Sequence, residues 1–183
     1  MHSIRDIIIR EAKSYDLNPA VMLAIAQVES SFSTWAMRFE PGYRWMYDVV
    51  NKKPFRRASS IEVYSVTSPP DFPYRQNIGS RSTEWIGQKT SWGLFQVMGA
   101  VARECGYDMA FPALCDSVVG ARYGIMHYHN LHNRFVSKGG EEAVIAAYNA
   151  GSPRKRMDGK WENQEYVERV LRQKAIFAKE LAL

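Results

Sequence analysis

The residue in this sequence whose surroundings best suit acid–base chemistry is Glu29. It stands near the end of the stretch LAIAQVESSFS, residues 23–33, which is otherwise mostly apolar. Helical spacing places Met22, Ile25 and Glu29 on one face, which the apolar side chains turn toward a core. Burial disfavours the charged form of a carboxyl group and raises its pKa. We therefore expect Glu29 to hold a proton near neutral pH and to act as a general acid.

A second interpretation of Glu29 is structural. A glutamate at a helix end is often turned to solvent, or it is paired with an arginine such as Arg122. The stretch around Glu29 favours this second interpretation when it is read alone. Three further segments favour the catalytic one: SWGLFQVM at residues 91–98, AAYNAG at 146–151 and ENQEYV at 162–167.

Together with Glu29 and Ser30, these segments resemble the lytic transglycosylase family that cleaves peptidoglycan, in the branch with a goose-type-lysozyme-like catalytic domain. That family has a catalytic glutamate followed by serine at a helix end, then Gly-Leu-x-Gln, Ala-Tyr-Asn-Ala-Gly and Glu-Thr-x-x-Tyr-Val. The corresponding residues here are Gly93 to Gln96, Ala147 to Gly151 and Glu162 to Val167. Each motif is short and unspecific, but four of them in the family order are not expected by chance.

The resemblance implies a mechanism in which one carboxyl group acts twice. Glu29 would protonate the glycosidic oxygen between N-acetylmuramic acid and N-acetylglucosamine, so that the leaving sugar departs. The same carboxylate would then accept the proton of the muramic C6 hydroxyl as that oxygen closes on C1. The product would carry a 1,6-anhydro end, and no water would be consumed.

The resemblance also implies substrate-binding roles for five residues: Ser30, Gln96, Tyr148, Asn149 and Glu162. The serine would bind an acetamido group or orient the acid, and the glutamine offers both a donor and an acceptor. Tyr148 would form an aromatic wall beside the acid, and Asn149 would hydrogen-bond to the sugar. The alternatives are core packing for Tyr148, a C-cap role for Asn149 and a first-turn helix charge for Glu162.

A long insertion separates this chain from the family pattern, because Gly93 follows Glu29 by 64 positions and the family places the two within about one loop. The insertion holds five carboxylates and six aromatic residues of interest: Glu40, Asp48, Glu62, Asp71, Glu84, Trp35, Phe39, Tyr43, Trp45, Tyr47 and Trp85. The aromatic rings could stack on sugars.

The insertion leaves the reaction outcome open. A hydrolase needs a second carboxylate roughly 5 to 9.5 Å from the first. The alternative function is therefore a hydrolytic muramidase that uses Asp48, Asp71 or Glu84 as its second carboxylate. A third function, in another class, is an inactive cell-wall-binding or virion structural protein that kept the fold.

The helical periodicity predicts a mainly α fold in one domain over residues 1–183, with an insertion at about 34–90. The resemblance implies that this domain is an α+β, lysozyme-like catalytic domain. Helices are expected at the N-terminus, where Ile4, Ile7, Ile8 and Ala12 share a face, and over about 19–31, 99–105, 116–135, 141–149 and 163–181. Asn18 should cap the second helix, with Pro19 at its first position. Within the loop-rich insertion, residues 61–66 suggest a short strand or hairpin.

The formal net charge of +5 and the pI near 9.2 suit an anionic partner. No nucleic-acid motif accompanies the basic residues, so we expect no nucleic-acid partner. The resemblance implies peptidoglycan glycan strands as the partner. No apolar run approaches the roughly 18 residues that span a bilayer, so stable membrane insertion is not expected. We expect a monomer.

The N-terminal stretch lacks the uninterrupted apolar region and the cleavage site of a secretory signal peptide. We therefore expect synthesis in the cytoplasm of a phage-infected host and action on the cell wall or in the periplasm, as for a phage endolysin or a virion-associated enzyme. A secreted bacterial enzyme would look similar after removal of its signal.

No cofactor or metal is expected. His127, His129 and His132 lack the HExxH pattern of a zinc site, so we interpret them as surface or packing residues. Cys105 and Cys115 have no zinc-ligand spacing, and they are too few for a disulfide framework. We expect buried thiols, with a single bridge between them as the alternative.

Overall fold

The computed structural model describes residues 3–182. The helices are α1 (Ile4–Ser14), α2 (Pro19–Ser30), α3 (Ser60–Tyr64), α4 (Arg81–Gln88), α5 (Gly99–Glu104), α6 (Ser117–Ala150) and α7 (Gln164–Leu181), with a 3-10 turn at Phe111–Cys115. The strands are β1 (Met37–Phe39), β2 (Tyr47–Asp48), β3 (Lys53–Pro54), β4 (Thr90–Trp92) and β5 (Val97–Met98). The fold is therefore mainly α with a small β component, which confirms the predicted fold class.

The chain divides into two compact units. Met1–Phe32 together with Gly124–Leu183 form the first unit, and Ser33–Tyr123 form the second. The insertion expected at residues 34–90 falls in the second unit. The single domain over 1–183 stays a prediction.

The first unit begins with two capped helices that pack on each other. The hydroxyl of Ser3 accepts a hydrogen bond from the backbone N–H of Asp6, and the Asp6 carboxylate accepts one from the N–H of Ser3. At α2, the side chain of Asn18 accepts from the N–H of Ala20 at 2.9 Å, and Pro19 takes the first helical position. The predicted start of the second helix is confirmed.

The long helix α6 is interrupted by two glycines. Gly139 and Gly140 lie outside helical geometry, and Gly140 has φ +66°, which a side chain rarely adopts. The sequence predicted two helices here, 116–135 and 141–149, and the break agrees with that division. At the start of α6 the carboxylate of Asp116 accepts from the N–H groups of Val118 and Val119, as expected for a cap.

The second unit contains two small antiparallel sheets. One has the strand order β1-β4-β5, with Phe39 opposite Thr90 and Ser91 opposite Met98. The other is the β2–β3 hairpin, in which Tyr47 pairs with Pro54. These strands are short, and the alternation that identifies a strand in sequence cannot develop over two or three residues.

The strand or hairpin predicted at residues 61–66 is wrong, because Ser60–Tyr64 forms helix α3. The hydroxyl of Ser59 accepts from the N–H of Glu62, and the Glu62 carboxylate accepts from the N–H of Ser59 at 2.7 Å. This reciprocal cap satisfies two N–H groups of the first turn, and it outweighs the β-type composition of the segment.

A buried ion pair lies in the core of the second unit. Arg103 donates from Nε and Nη2 to the two carboxylate oxygens of Glu84, each at 2.9 Å, and both side chains are almost fully buried. Arg103 also donates to the backbone carbonyls of Tyr107 and Met109, while Gln88 donates to Glu84. All of these charges and donors are therefore paired, which a low-dielectric interior requires.

The two cysteines form no disulfide with each other. Cys115 is a buried thiol, as expected, and Cys105 is a half-buried one. Within residues 3–182, no helix is both long and apolar enough to cross a membrane.

The buried pair predicts a large stability effect. Glu84→Gln keeps the shape of the side chain but leaves the Arg103 charge buried without a counter-ion, so unfolding free energy should fall by about 3 to 5 kcal/mol. Urea denaturation measures this loss. Glu40→Gln is the control, since Arg38 beside Glu40 is largely exposed, and it should cost about 1 kcal/mol or less. Equal losses in the two variants would contradict the buried-pair argument.

Candidate active site

Glu29 occupies the last turn of α2. Met22 and Ile25, on the same helical face, are fully buried, whereas Glu29 is half-buried. The two apolar residues are therefore buried as expected, but the whole stretch from Ala20 to Ala26 is buried, so α2 is enclosed on all sides there and not on one face only. The carboxyl group itself lies at the C-terminal end of the helix, where burial is less complete than at Met22 and Ile25.

Tyr166 holds the carboxyl group of Glu29. Its hydroxyl donates a hydrogen bond to Glu29 Oε1 at 2.6 Å, although the two residues are 137 positions apart. Tyr166 lies in the first turn of α7, which packs closely on α2, and its side chain is buried. The contact unites the first and the fourth of the sequence motifs.

The phenol of Tyr166 is a donor over the whole neutral range. Burial raises its pKa well above the ordinary value, and the negative charge of Glu29 and the hydrogen bond to it raise the pKa further. A phenol that keeps its proton can donate but cannot compete with Glu29 as a base. This arrangement suits a carboxyl group that must exist in both protonation states.

The backbone immediately after Glu29 turns sharply and is fixed in place. Ser31 and Phe32 have φ values of +52° and +62°, a region that residues other than glycine visit rarely. The N–H of Ser31 donates to the carbonyl of Gln27, and the Phe32 ring packs edge-on against Phe177 with ring centroids 6.0 Å apart. Strained conformations of this kind persist only where packing enforces them. The position of Glu29 is consequently well determined.

The end of α2 is also an electrostatically unusual place for a carboxylate. The C-terminal end of a helix carries partial negative charge, which disfavours an additional negative charge there. The Tyr166 hydroxyl offsets this effect, because a hydrogen bond donated to a carboxylate favours its charged form. Ser30, beside the acid, donates its hydroxyl to the carbonyl of Ala26 at 3.2 Å, one turn back in the same helix.

Tyr148 lies near the end of α6 and is half-buried. Its ring centroid is 5.2 Å from that of His127 and 6.3 Å from that of Tyr128, so the ring packs in the first unit as the structural alternative expected. Its phenol also contributes to the raised pKa of Tyr166, so the two phenols lie near each other. The packing alternative therefore holds for Tyr148, and its contact with a substrate stays a prediction.

Asn149 is exposed, and its side-chain oxygen accepts a hydrogen bond from Asn163 Nδ2 at 3.0 Å. The same Nδ2 group donates to the carbonyl of Ala146, so Asn163 links the end of α6 to the start of α7. The C-cap alternative for Asn149 is not what the structure shows. Gly151, with φ +76°, closes the helix through a bond from its N–H to the carbonyl of Ala147.

Glu162 is exposed and forms an ion pair with Arg154 at 2.9 Å. It precedes α7, whose N-cap is Asn163, so it is not a first-turn charge of that helix. The backbone N–H of Glu162 donates to the carbonyl of Arg154, which fixes the loop between α6 and α7. Its substrate-binding role stays a prediction.

Gln96 belongs to the second unit, where Gly93 to Gln96 form the turn between β4 and β5. Its Nε2 group donates to the carbonyls of Ala36 at 3.0 Å and Gly93 at 2.9 Å, and its Oε1 accepts from the Ser91 hydroxyl. Gly93 has φ +65°, and a Cβ there would lie 2.4 Å from the carbonyl oxygen of Leu114. The segment from Gly93 to Gln96 thus stabilises the turn between β4 and β5. A contact between Gln96 and a sugar stays a prediction.

The insertion carboxylates all have partners inside the second unit. Their partners are Arg38 for Glu40, the Val50 and Asn51 N–H groups for Asp48, Arg56 for Glu62 and Asp71, and Arg103 for Glu84. The hydrogen bond from Arg56 lowers the pKa of Asp71, and it lowers that of Glu62 to about 2, with help from Ser59. Burial raises the pKa of Asp48, but hydrogen bonds from Asn51 and Val50 outweigh it and lower the value. These contacts stabilise turns and helix ends.

The histidines pack against aromatic rings. His129 lies against Tyr15 with ring centroids 5.2 Å apart, and burial, together with the charge of Arg134, lowers the pKa of His127 to about 4. Within residues 3–182, no cluster of three or more histidine, cysteine, aspartate or glutamate side chains could hold a metal ion.

Comparison with known proteins adds no identification. No protein-family model matches the chain, and no curated protein matches it either.

Sequence reasoning did not foresee the role of Tyr166. The residue was visible as part of the Tyr-Val pair in the fourth motif, but its contact with Glu29 depends on how α7 packs on α2. Asn163 was likewise read only as the approximate start of a helix. Neither role leaves a local signal, because each joins elements that are far apart in the sequence.

The hydrogen bond between Tyr166 and Glu29 predicts how the stability of the protein depends on pH. The unfolded chain ionises tyrosine near pH 10, while folded Tyr166 keeps its proton at higher pH, so its contribution to stability is complete below pH 10. Above pH 10 that contribution should decline by about 1.4 kcal/mol per pH unit. Tyr166→Phe should cost about 1 to 2 kcal/mol at pH 7, and the difference from wild type should shrink above pH 10.

Urea unfolding between pH 7 and pH 11 tests this prediction. The control is Tyr64→Phe, because Tyr64 is exposed and the change should leave the pH dependence as in wild type. A wild-type advantage over Tyr166→Phe that stays constant up to pH 11 would rule out the proposed state of the phenol.

Proposed function

We propose that this protein cleaves the β-1,4 bond between N-acetylmuramic acid and N-acetylglucosamine in peptidoglycan, with Glu29 as general acid and then general base. The observation that carries the proposal is the hydrogen bond from Tyr166 to Glu29. It joins two segments that the sequence resemblance had marked separately as parts of one catalytic site.

The proposed reaction begins with proton transfer from Glu29 to the glycosidic oxygen. The bond from C1 to that oxygen breaks, and positive charge develops at C1 of the muramic residue. The Glu29 carboxylate then accepts the proton of the C6 hydroxyl while O6 forms a bond to C1. Glu29 regains its proton, and the products are a new hydroxyl end and a 1,6-anhydro end.

Tyr166 supports both halves of this cycle. After the first proton transfer, Glu29 is an anion at the negative end of a helix, and the buried phenol stabilises that anion by donating to it. The phenol also fixes the orientation of the carboxyl group, since Tyr166 itself is held by the packing of α7. A positioned acid of this kind typically contributes a factor of about 10² to 10⁴ to the rate.

The insertion carboxylates favour the non-hydrolytic outcome. A hydrolase needs a second carboxylate that can attack C1 or activate water. Asp48, Asp71 and Glu84 were the sequence candidates, and all three are engaged with hydrogen-bond donors or arginines of their own unit. Hydrolysis by a muramidase remains the alternative reaction, and an inactive wall-binding or virion protein the alternative of another class.

The proposal includes the place of action. The substrate is the glycan strand of the cell wall, and the basic character of the chain suits the anionic bacterial envelope in which that strand lies. A phage endolysin or a virion-associated enzyme is the biological setting that we propose, acting on the wall after synthesis in the cytoplasm of an infected host.

The decisive variant is Glu29→Gln. It keeps the shape of the side chain but removes the transferable proton, so turnover of purified peptidoglycan should fall by a factor of about 10² to 10⁴. Mass spectrometry of the released muropeptides measures turnover and product together. Glu165→Gln is the matched control, since Glu165 is an exposed glutamate of α7, and its activity should equal that of wild type.

The products distinguish the alternatives. Anhydromuramic ends are the expected result, whereas free reducing ends would assign the reaction to a hydrolase. Wild-type activity in Glu29→Gln would remove the catalytic role of this residue. Absence of any product from the wild-type protein would favour the binding or structural alternative.

A further inference from the structure

A cavity of about 520 Å³ lies wholly within the second unit. Its lining combines an aromatic and apolar wall with charged side chains: Trp45, Tyr47, Phe55, Arg44, Arg57 and Glu104. Its volume falls in the range of about 300 to 1,000 Å³ that is usual for small-molecule sites.

The backbone of Tyr47, which lines this cavity, is fixed by hydrogen bonds to a buried side chain. The side chain of Gln88, fully buried, accepts from the backbone N–H of Tyr47 at 2.8 Å and donates to the carbonyl of Tyr47 at 2.9 Å. Gln88 in turn donates to Glu84, which is paired with Arg103. The buried ion pair thereby fixes the β2–β3 hairpin that forms one side of the cavity, and sites are usually pre-formed in this way.

The charged residues of the cavity are not engaged in ion pairs. Arg44, Arg57 and Glu104 are exposed, and within residues 3–182 none of the three takes part in a salt bridge. The neighbouring Arg56, by contrast, is paired with both Glu62 and Asp71. Two guanidinium groups and one carboxylate are therefore available beside the same apolar surface.

Trp45 adds an exposed apolar surface. Its side chain is 75% exposed, although Met46 next to it is buried in the core of the unit. A large ring at the rim of a cavity can cover the apolar part of a ligand. Phe55, which lines the same cavity, is anchored edge-on against Phe72 with ring centroids 5.1 Å apart.

We propose that this cavity binds the peptide stems of peptidoglycan. Arginines recognise carboxylates through paired N–H donors, a glutamate recognises an ammonium group, and the aromatic wall accepts short aliphatic side chains. A short peptide that carries carboxylates and an ammonium group supplies all three. This inference rests on the proposed function, and it assigns to the insertion the recognition of stem peptides, separate from the cleavage of glycan.

Binding is tested with a free peptide, so that cleavage is not needed for the result. The probe is a synthetic stem-type tetrapeptide of alanine, glutamate, lysine and alanine, and affinity is measured by isothermal titration calorimetry. Neutralising the peptide carboxylates as amides, or acetylating its lysine, should each weaken binding by about tenfold, since each removes a charge-assisted contact.

Variants of the protein give the complementary test. The double variant Arg44→Gln with Arg57→Gln should weaken binding of the free peptide at least about tenfold, and Glu104→Gln should abolish the preference for the free lysine over the acetylated one. Lys52→Gln is the control, because it removes one exposed positive charge of the same unit without lining the cavity. It should bind as wild type.

Three results would overturn the assignment: no peptide binding up to millimolar concentration, equal affinity for the amidated peptide, or equal loss in Lys52→Gln. The last of these would indicate a general effect of net charge. Cleavage of intact glycan strands and of strands stripped of their peptides is measured in parallel. Loss of peptide binding with Glu29-dependent cleavage intact removes only the inference about the cavity, and peptide binding without any cleavage removes the proposed function.

Discussion

The hydrogen bond between Tyr166 and Glu29 is the contact on which the candidate site depends. It sets a carboxyl group at the C-terminal end of one helix against a phenol in the first turn of another, and both are fixed by apolar packing between α2 and α7. Burial and the nearby carboxylate raise the pKa of Tyr166, so that the hydroxyl can only donate. A carboxyl group with a permanent donor on one side can change its protonation state without losing its position. That property is what acid and then base catalysis by a single residue requires.

The second unit is stabilised by buried polar groups that hydrogen-bond to one another. Its interior contains a chain of buried polar groups that runs from Arg103 through Glu84 and Gln88 to the backbone of Tyr47. Each member is paired, so the chain does not incur the cost of unsatisfied buried groups. Because several contacts must form together, the network specifies one arrangement of the hairpin and of helix α4. The carboxylate that looked like a candidate for chemistry in the sequence therefore serves the architecture of this unit.

Local signals in the sequence predicted the helices well. Asn18 with Pro19 predicted the start of the second helix, and the structure has a helix start there. The two helices predicted at 116–135 and 141–149 are separated by a break at Gly139 and Gly140. The prediction at 61–66 failed although its signal was local too. The amino-acid composition favoured a strand there, but the reciprocal cap between Ser59 and Glu62 stabilises a helix. The very short strands gave no periodic pattern from which they could be predicted.

The sequence by itself determined the mainly helical fold, the helix that carries Glu29 and the burial of the apolar residues of that helix, because all three follow from local composition, periodicity and caps within one turn. It also gave the order of the four motifs and hence the proposed reaction. Only the tertiary structure decided which side chain holds Glu29, which insertion carboxylates are already paired, and which arginines are left beside a cavity. Those properties depend on contacts between residues tens to more than a hundred positions apart, and no local pattern specifies the packing that brings such residues together.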